Sequence, residues 1–261
     1  MTGKKQTQHS GTIARVVRIL QCLAEFDADF SLKDMAERLE LPPSTVHRLL
    51  QLLFKEGIVE RSPAGHLYRP GLELIRIGSL VSSKTRITEV ARPFMRAVVE
   101  RCGEVCMLVL HMPTARKVMV IDSVDSSMAL RYQVDKFTPT SLLWGATGRS
   151  VLAFLPLEDI ERAIADGDPS PASGQRLPAR KQLLDDLAAI RRKGYARTNS
   201  QKIEGAVGMG APVFGAERRV IGSLCITIPQ MRFKAAAEPQ LSNLLITQAR
   251  ALSAALGFSQ V

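Results

Sequence analysis

Polar side chains at helical spacing give the first indication of chemistry in this sequence. Ser44, His47, Arg48 and Gln51 recur at i, i+3, i+4 and i+7, which places them on one face of a predicted helix. Valine and leucine at the intervening positions form the opposite, apolar face, as a helix that packs on a core requires. Guanidinium, imidazole and amide groups on an exposed helix can hydrogen-bond to base edges in the major groove. The pattern indicates a nucleic-acid-binding surface, provided that neighbouring elements hold this face outward.

Two further helices are predicted before this one. Residues 12–26 carry apolar side chains at helical spacing and predict a first amphipathic helix. Ser31 and Asp34 form a variant of the capping box, which predicts the start of a second, short helix. A turn of four residues, 40–43, leads into the third helix, and Gly57 is placed to end it. The sequence therefore predicts a helix, a tight turn and a second helix.

A hairpin is predicted directly after the third helix. Residues 58–61 and 67–69 are predicted as β-strands, and the turn between them contains Pro63 and Gly65. A helix pair followed by a hairpin is typical of a winged helix-turn-helix, whose third helix enters the major groove of DNA. We therefore expect a DNA-binding domain over residues 10–70.

Each polar residue of the third helix has an expected role. Arg48 is the foremost candidate, because a guanidinium can bind guanine O6 and N7 in bidentate fashion. His47 and Gln51 share its face and are candidates for reading base edges. Ser44 and Thr45 lie near the helix N-terminus, where N–H groups and the helix dipole favour a phosphate. An ordinary surface position is the alternative for Arg48, His47 and Gln51, and the alternative for Ser44 is that it simply caps the helix.

Cations outside the third helix have less specific roles. Arg61 and Arg69 flank the wing, and we expect them to meet backbone phosphates unless they are merely solvated. Two lysines in the tail, residues 1–9, could reach the minor groove, although we expect this end to be disordered. The net charge of +10 is compatible with a polyanionic partner but does not locate it. The first 84 residues hold 12 Lys and Arg against 9 Asp and Glu, and the rest of the chain holds 23 against 16.

The remainder of the chain has the pattern of a second domain. We expect a linker helix within residues 71–84 and a mixed domain over residues 85–258, which makes the whole chain α+β. A domain of this size can enclose a pocket for a small ligand. The predicted helices of the second domain are 87–102, 146–155, 158–165, 179–193 and 239–256, and its predicted strands are 104–112, 117–124, 128–134, 208–214 and 219–228.

Composition indicates a globular cytoplasmic protein. The 261 residues are 46% hydrophobic, and no run approaches the roughly 18 apolar residues of a membrane span. The opening residues contain no apolar segment typical of a signal peptide. Cys22, Cys102, Cys106 and Cys225 form neither a CxxC pair nor a zinc-binding pattern, so we expect reduced, buried thiols. A redox role for Cys102 and Cys106 is the alternative.

Enzymatic signatures are weak. The segment from Gly145 to Arg149 resembles the glycine turn of nucleotide-binding folds, but it lacks the third glycine and the downstream acidic residue. The four histidines are scattered among the tail, the predicted DNA-binding domain and a single strand. We therefore expect no catalysis, no cofactor and no metal site.

Four motifs together resemble the IclR family of bacterial transcriptional regulators over nearly the whole chain. They are SLKDMAERLELPPSTVHRLLQLLFKEGIVER at 31–61, ATGRSVLAFLP at 146–156, RKGYA at 192–196 and APVFGAERRVIGSLCITIP at 211–229. The resemblance implies an N-terminal DNA-binding domain, a linker helix and a C-terminal effector-binding domain of GAF-like architecture. It also implies homodimers or homotetramers on near-palindromic double-stranded operators.

The resemblance also implies an effector pocket. Carried over residue by residue, its lining would be Trp144, Gly145, Ala146, Gly148, Thr198, Gly208, Cys225 and Thr227. Some family members that bind small ketoacids have an acidic residue at the position of Thr198 and a cysteine at that of Gly208, so a glyoxylate-like ligand is not favoured here. Because the space at Gly208 is open and Trp144 can lie against a ring, an aromatic or larger carboxylate is favoured.

Two residues are candidates for binding that carboxylate. Arg131 and Tyr132 lie on a predicted strand before the pocket loop, and a guanidinium matches a carboxylate in bidentate fashion. Trp144 could instead fill the core or contact a second subunit. The alternative for the whole chain is a metabolite-binding or catalytic domain that uses the winged helix only for oligomerisation.

Overall fold

The computed structural model describes residues 11–63, 65–84, 86–167 and 169–258, so the predicted basic tail lies outside the described residues. The chain divides between residues 85 and 86 into two compact units. Among the described residues, none of the helices combines the length and the apolar composition needed to cross a bilayer.

The N-terminal unit is a winged helix-turn-helix, as the sequence predicts. Its elements are α1 (Thr12–Leu23), α2 (Leu32–Leu39), α3 (Pro43–Lys55), β1 (Val59–Arg61), β2 (Tyr68–Pro70) and α4 (Leu72–Lys84). The Ser31 hydroxyl accepts from the Asp34 N–H and the Asp34 carboxylate accepts from the Ser31 N–H, which confirms the predicted capping box. Gly57 follows α3 with φ of +68°, a left-handed conformation that glycine adopts without strain.

The core of this unit holds α3 and the wing together. Leu49 and Leu50 of α3 are buried with Met35 of α2 and with Phe30 and Tyr68. The backbones of Phe30 and Tyr68 exchange two hydrogen bonds of 2.9 and 2.8 Å, which tie β2 to the loop between α1 and α2. The wing is therefore fixed to the helices by backbone bonds as well as by apolar packing.

The wing also supports the start of α4. The Leu72 N–H, in the first turn of α4, donates to the Glu60 carboxylate at 3.0 Å. A carboxylate at a helix N-terminus satisfies a free N–H and interacts favourably with the helix dipole. The Glu60 side chain of β1 thus fixes the direction in which α4 leaves the wing.

The C-terminal unit is built on one antiparallel sheet of six strands in the order β5-β4-β3-β8-β7-β6. Its strands are β3 (Val105–Met112), β4 (Lys117–Val124), β5 (Pro139–Ser141), β6 (Ala196–Asn199), β7 (Ala206–Phe214) and β8 (Val220–Pro229). Its helices are α5 (Ile87–Cys102), α6 (Gly145–Leu152), α7 (Leu157–Ala165), α8 (Arg180–Lys193) and α9 (Glu238–Ala255). One core lies between the sheet and α5 with α9, and the other lies between the sheet and α6, α7 and α8. The predicted fold class is confirmed.

One predicted strand is wrong and two observed strands were missed. Residues 128–134 form no strand, and this segment pairs with no neighbour in the six-stranded sheet. The missed strands β5 and β6 have three and four residues. Strands this short contain too few alternations for a period of two to be recognised, and only pairing with a longer neighbour stabilises them.

Candidate DNA-binding and effector-binding sites

The polar face of α3 is directed outward. Ser44, His47 and Arg48 are exposed, Thr45 and Gln51 are half-buried, and the apolar residues of the opposite face are buried. Among the described residues, no hydrogen bond or ion pair involves the side chain of His47 or Arg48. A guanidinium in this state can bind a base edge without first losing an intramolecular partner.

Ser44 does not cap α3. The N-cap is Pro42, whose carbonyl accepts from the N–H groups of Thr45 and Val46 at 2.9 and 3.1 Å, and no side chain caps the helix. The alternative role considered for Ser44 is therefore wrong. Its hydroxyl lies in the first turn of the helix, where a phosphate oxygen would meet free N–H groups and the positive end of the helix dipole.

The two arginines of the wing differ in their partners. Arg69 lies opposite Glu60 in the hairpin and forms an ion pair with it at 3.4 Å. Arg61 donates only to the Gly65 carbonyl oxygen, at 3.4 Å, among the residues that the structure describes. The charge of Arg69 is thus partly neutralised inside the wing, so Arg61 is the stronger candidate for a phosphate contact.

A cavity of about 450 Å³ in the C-terminal unit is a candidate effector site, since this volume suits a small metabolite. The irregular segment 132–138 forms one wall and strands β3 to β5 and α6 form others. Apolar surface comes from Met107, Val120 and Trp144. Polar groups that line it include Tyr132, Asp135, Thr140, Thr147, Lys202 and Thr227. We call this space the main cavity.

A second space of about 40 Å³, the side cavity, shares Thr147, Lys202, Ile203 and Thr227 with the main cavity. At roughly 10–15 Å³ per water, it holds about three water molecules or one small ligand group. Five residues implied by the family resemblance line it without lining the main cavity: Gly145, Ala146, Thr198, Gly208 and Cys225.

The residues predicted for the effector pocket therefore separate into three groups. Tyr132, Trp144 and Thr227 line the main cavity, and the five named above line the side cavity together with Thr227. Arg131 and Gly148 line neither of them. Trp144 is also packed in the core beneath α6, so the pocket and core-filling interpretations both apply to it.

Arg131 and Gly148 require correction for physical reasons. Arg131 is exposed, and its guanidinium donates to the Met128 carbonyl oxygen at 3.3 Å. The predicted strand that would have directed Arg131 towards the pocket does not form. A Cβ atom at Gly148 would lie 2.5 Å from the Leu142 carbonyl oxygen. This glycine thus permits close packing of α6 on the preceding loop and does not leave room for a ligand.

Two polar residues of the cavities were missed by the sequence analysis. Lys202 lies between β6 and β7, and its Nζ donates to Thr140 Oγ1 at 3.1 Å. Burial lowers the pKa of Lys202. The Oγ1 atom of Thr147 is buried and has no hydrogen-bond partner among the described residues. Thr147 lies inside the ATGR motif, between the predicted pocket residues Ala146 and Gly148, so the motif could have indicated it. No pattern in the sequence indicates Lys202.

The thiols are poorly suited to redox sensing. Burial raises the pKa of Cys225 to about 11 and the pKa of Cys106 well above its ordinary value. The pKa of Cys102 is also raised by burial. Reactive cysteines need a lowered pKa, because the thiolate is the nucleophile.

In the described part of the chain, no three His, Cys, Asp or Glu side chains are grouped to hold a metal ion.

Comparison with known proteins matches both units. The family model of the bacterial transcriptional regulator IclR C-terminal domain matches residues 79–254, and the family model of the IclR helix-turn-helix domain matches residues 12–63. The HTH-type transcriptional regulator BhcR of Paracoccus denitrificans is 27% identical over 92% of this chain and 85% of its own length.

Solved structures show the same fold. A crystal structure of an IclR-type regulator from a Silicibacter species has a TM-score of 0.84 at 21% identity, with 96% of this chain and 98% of that chain covered. An IclR homolog from Microbacterium hydrocarbonoxydans, complexed with 4-hydroxybenzoate, has a TM-score of 0.78 at 24% identity, with coverages of 94% and 98%. The chain belongs to the IclR family of bacterial transcriptional regulators, with a DNA-binding helix-turn-helix domain followed by a C-terminal effector domain.

Proposed function

We propose that α3 reads a double-stranded operator and that a small carboxylate metabolite in the main cavity changes the affinity for that operator. The observation that carries the DNA-binding part is the guanidinium of Arg48, which lies exposed on the outward face of α3 and has no partner among the described residues. His47 and Gln51 share this face and read neighbouring base edges, while Ser44, Thr45 and Arg61 bind phosphates. Arg69 contributes less, because Glu60 already pairs with it.

The volume and the apolar lining of the main cavity support an aromatic carboxylate as its ligand. Met107, Val120 and Trp144 offer apolar surface on which a ring can lie, and the volume of about 450 Å³ accommodates a molecule of this size. One structural neighbour was crystallised with 4-hydroxybenzoate, which supports the same ligand class. A change in operator affinity requires the ligand to prefer one arrangement of the recognition helices over another.

A homodimer, or a homotetramer built from dimers, would carry this activity. Ile13 of α1 and Leu72 and Ile75 of α4 are large apolar side chains that are more than half exposed in the N-terminal unit. A second copy that covers them would place two α3 helices on the halves of a near-palindromic operator, as two-fold symmetry requires. The main cavity would act in binding only, without turnover of its ligand.

The test of DNA binding is Arg48→Ala, measured by fluorescence anisotropy on the promoter region of the chain's own gene. Loss of a bidentate base contact should weaken binding by about 1–3 kcal/mol and relax the preference at one base pair in each half-site. Arg162→Ala is the control, because Arg162 is an exposed arginine of the C-terminal unit that pairs with Glu158.

Equal operator affinity and base preference for Arg48→Ala and the parent chain would contradict the assignment of α3. Turnover of a metabolite without any salt-dependent DNA binding would instead favour the alternative in which the winged helix serves only oligomerisation.

A further inference from the structure

Lys202 places a half-buried ammonium group at the junction of the two cavities. Its side chain packs along Gly145 at the start of α6, where a Cβ atom would lie 3.1 Å from Lys202 Cβ and 3.3 Å from Cδ. Its Nζ reaches Thr140 Oγ1 at 3.1 Å, and the residue lines both the main and the side cavity. The ammonium group is thus held at a defined position beside the space that a ligand would fill.

The charged surroundings of Lys202 leave its ammonium group without a close counter-ion. Asp135 lines the same cavity and attracts it, but no carboxylate of the described residues forms an ion pair with Nζ. The nearby Cys225 thiol is neutral at physiological pH, and Lys117 is an exposed cation at the edge of the cavity. A cation that has lost solvent without gaining a counter-ion is stabilised when an anion binds beside it.

Thr147 supplies a second, independent indication of a ligand. This residue is only 7% exposed, lines both cavities and has a hydroxyl without a hydrogen-bond partner among the described residues. A buried polar group that lacks a partner costs about 1–3 kcal/mol, so nearly all such groups are satisfied in the functional state. A polar ligand atom at the junction of the cavities would satisfy it.

We propose that Lys202 binds the carboxylate of the effector and that Thr147 hydrogen-bonds a second polar atom of the same ligand. The ring then lies in the main cavity against Trp144 and Val120. This inference rests on the proposed carboxylate effector. It transfers the anchoring role from the predicted Arg131 or Tyr132 to Lys202, since Arg131 lines neither cavity and the Tyr132 hydroxyl donates to the Glu204 carbonyl oxygen. The five residues of the side cavity then surround the polar end of the ligand.

The test uses the fluorescence of Trp144, the single tryptophan of the chain. Benzoate, 4-hydroxybenzoate and the neutral benzamide are titrated at neutral pH into the full-length parent and into Lys202→Met. The substitution should weaken both carboxylates at least tenfold, about 1.4 kcal/mol, and change the affinity for benzamide by less than about twofold, because only the charge-assisted hydrogen bond is lost.

Lys117→Met is the matched control, since it removes an exposed ammonium from the edge of the same cavity. It should weaken benzoate by less than about twofold, because solvent screens this charge. Three results would each overturn the proposal. The first is equal carboxylate affinity of the parent and Lys202→Met, and the second is a larger loss of benzoate affinity in Lys117→Met than in Lys202→Met. The third is saturable binding of benzamide, but of neither carboxylate, to the parent.

Operator affinity is measured on the same samples. Carboxylate binding that depends on Lys202 but leaves DNA affinity unchanged would keep the role of Lys202 and defeat the proposed regulation. The opposite result is operator binding that depends on Arg48 and carboxylate binding that does not depend on Lys202. It would keep the proposed DNA-binding function and contradict the role of Lys202.

Discussion

Arg48 and Lys202 are both cations without an acidic ion-pair partner in the described residues, but their surroundings differ. Arg48 projects from α3 into solvent, whereas Lys202 is half-buried and its Nζ is held by Thr140. Water already solvates the first cation, so a phosphate or base must displace water and salt ions to bind it. The second cation is shielded, so a small anion gains more from each contact.

Salt should separate the two sites most clearly. Between about 50 and 200 mM NaCl, operator affinity should fall roughly 10³-fold if a dimer contacts six or more phosphates, because binding releases counterions from DNA. Benzoate affinity should fall by less than about threefold over the same range, since the Lys202 site is largely shielded from salt. Anisotropy and Trp144 fluorescence measure the two quantities, and a steep salt dependence of benzoate binding would place its anchor on the surface.

Alkaline pH should affect only the effector site. Burial lowers the pKa of Lys202, so its ammonium group loses its charge at a lower pH than an ordinary lysine does. Benzoate affinity is highest below this pKa and should fall by up to about tenfold per pH unit above it, whereas the guanidinium of an arginine keeps its charge. Titrations in buffers of increasing pH test this, and Lys202→Met should show no such fall.

A smaller effect is expected for the stability of the ligand-free protein. Thr147→Val removes a buried hydroxyl that has no partner in the described part of the chain, so the free energy of unfolding should stay equal or rise by up to about 1 kcal/mol. Thr140→Val is the matched control, because that hydroxyl accepts from Lys202 and donates to the Val118 carbonyl oxygen. Its removal should cost about 0.5–1.5 kcal/mol.

Urea denaturation measures both changes. A destabilisation by Thr147→Val equal to that by Thr140→Val would show that the Thr147 hydroxyl has a partner in solution, which would weaken the argument for a ligand atom beside it.

The DNA-binding unit was predictable because its information is local. Residues 43–55 show a helical period, Ser31 and Asp34 form a recognisable cap, and Gly57 ends the helix. These patterns determine which side of α3 is buried, and therefore which side carries Arg48. What they could not show was the Glu60 partner of Arg69, which depends on the register of the hairpin.

The candidate effector site was less predictable because one wall of the main cavity is the irregular segment 132–138. A strand was predicted for residues 128–134, with Arg131 or Tyr132 as the carboxylate anchor, but this segment has no ladder partner in the six-stranded sheet. Lys202 lies after β6, a strand too short to be recognised, and its side chain packs along Gly145 and reaches Thr140 across the cavity, contacts that no sequence pattern indicates. The five residues that the family resemblance implies line one cavity, and their role in effector binding stays a prediction. The larger space beside them depends on the path of the chain.

The carboxylate of Glu60 joins the beginning of α4 to the hairpin, and the hairpin is bonded in turn to the loop ahead of α2. Because these bonds couple α4 to the wing and the wing to the helices, a rigid rotation of α4 would carry α3 with it and leave the interior of the N-terminal unit unchanged. Under the proposed function, a metabolite would need only to alter the separation of the two N-terminal units of a dimer, while the fold of each unit remained constant.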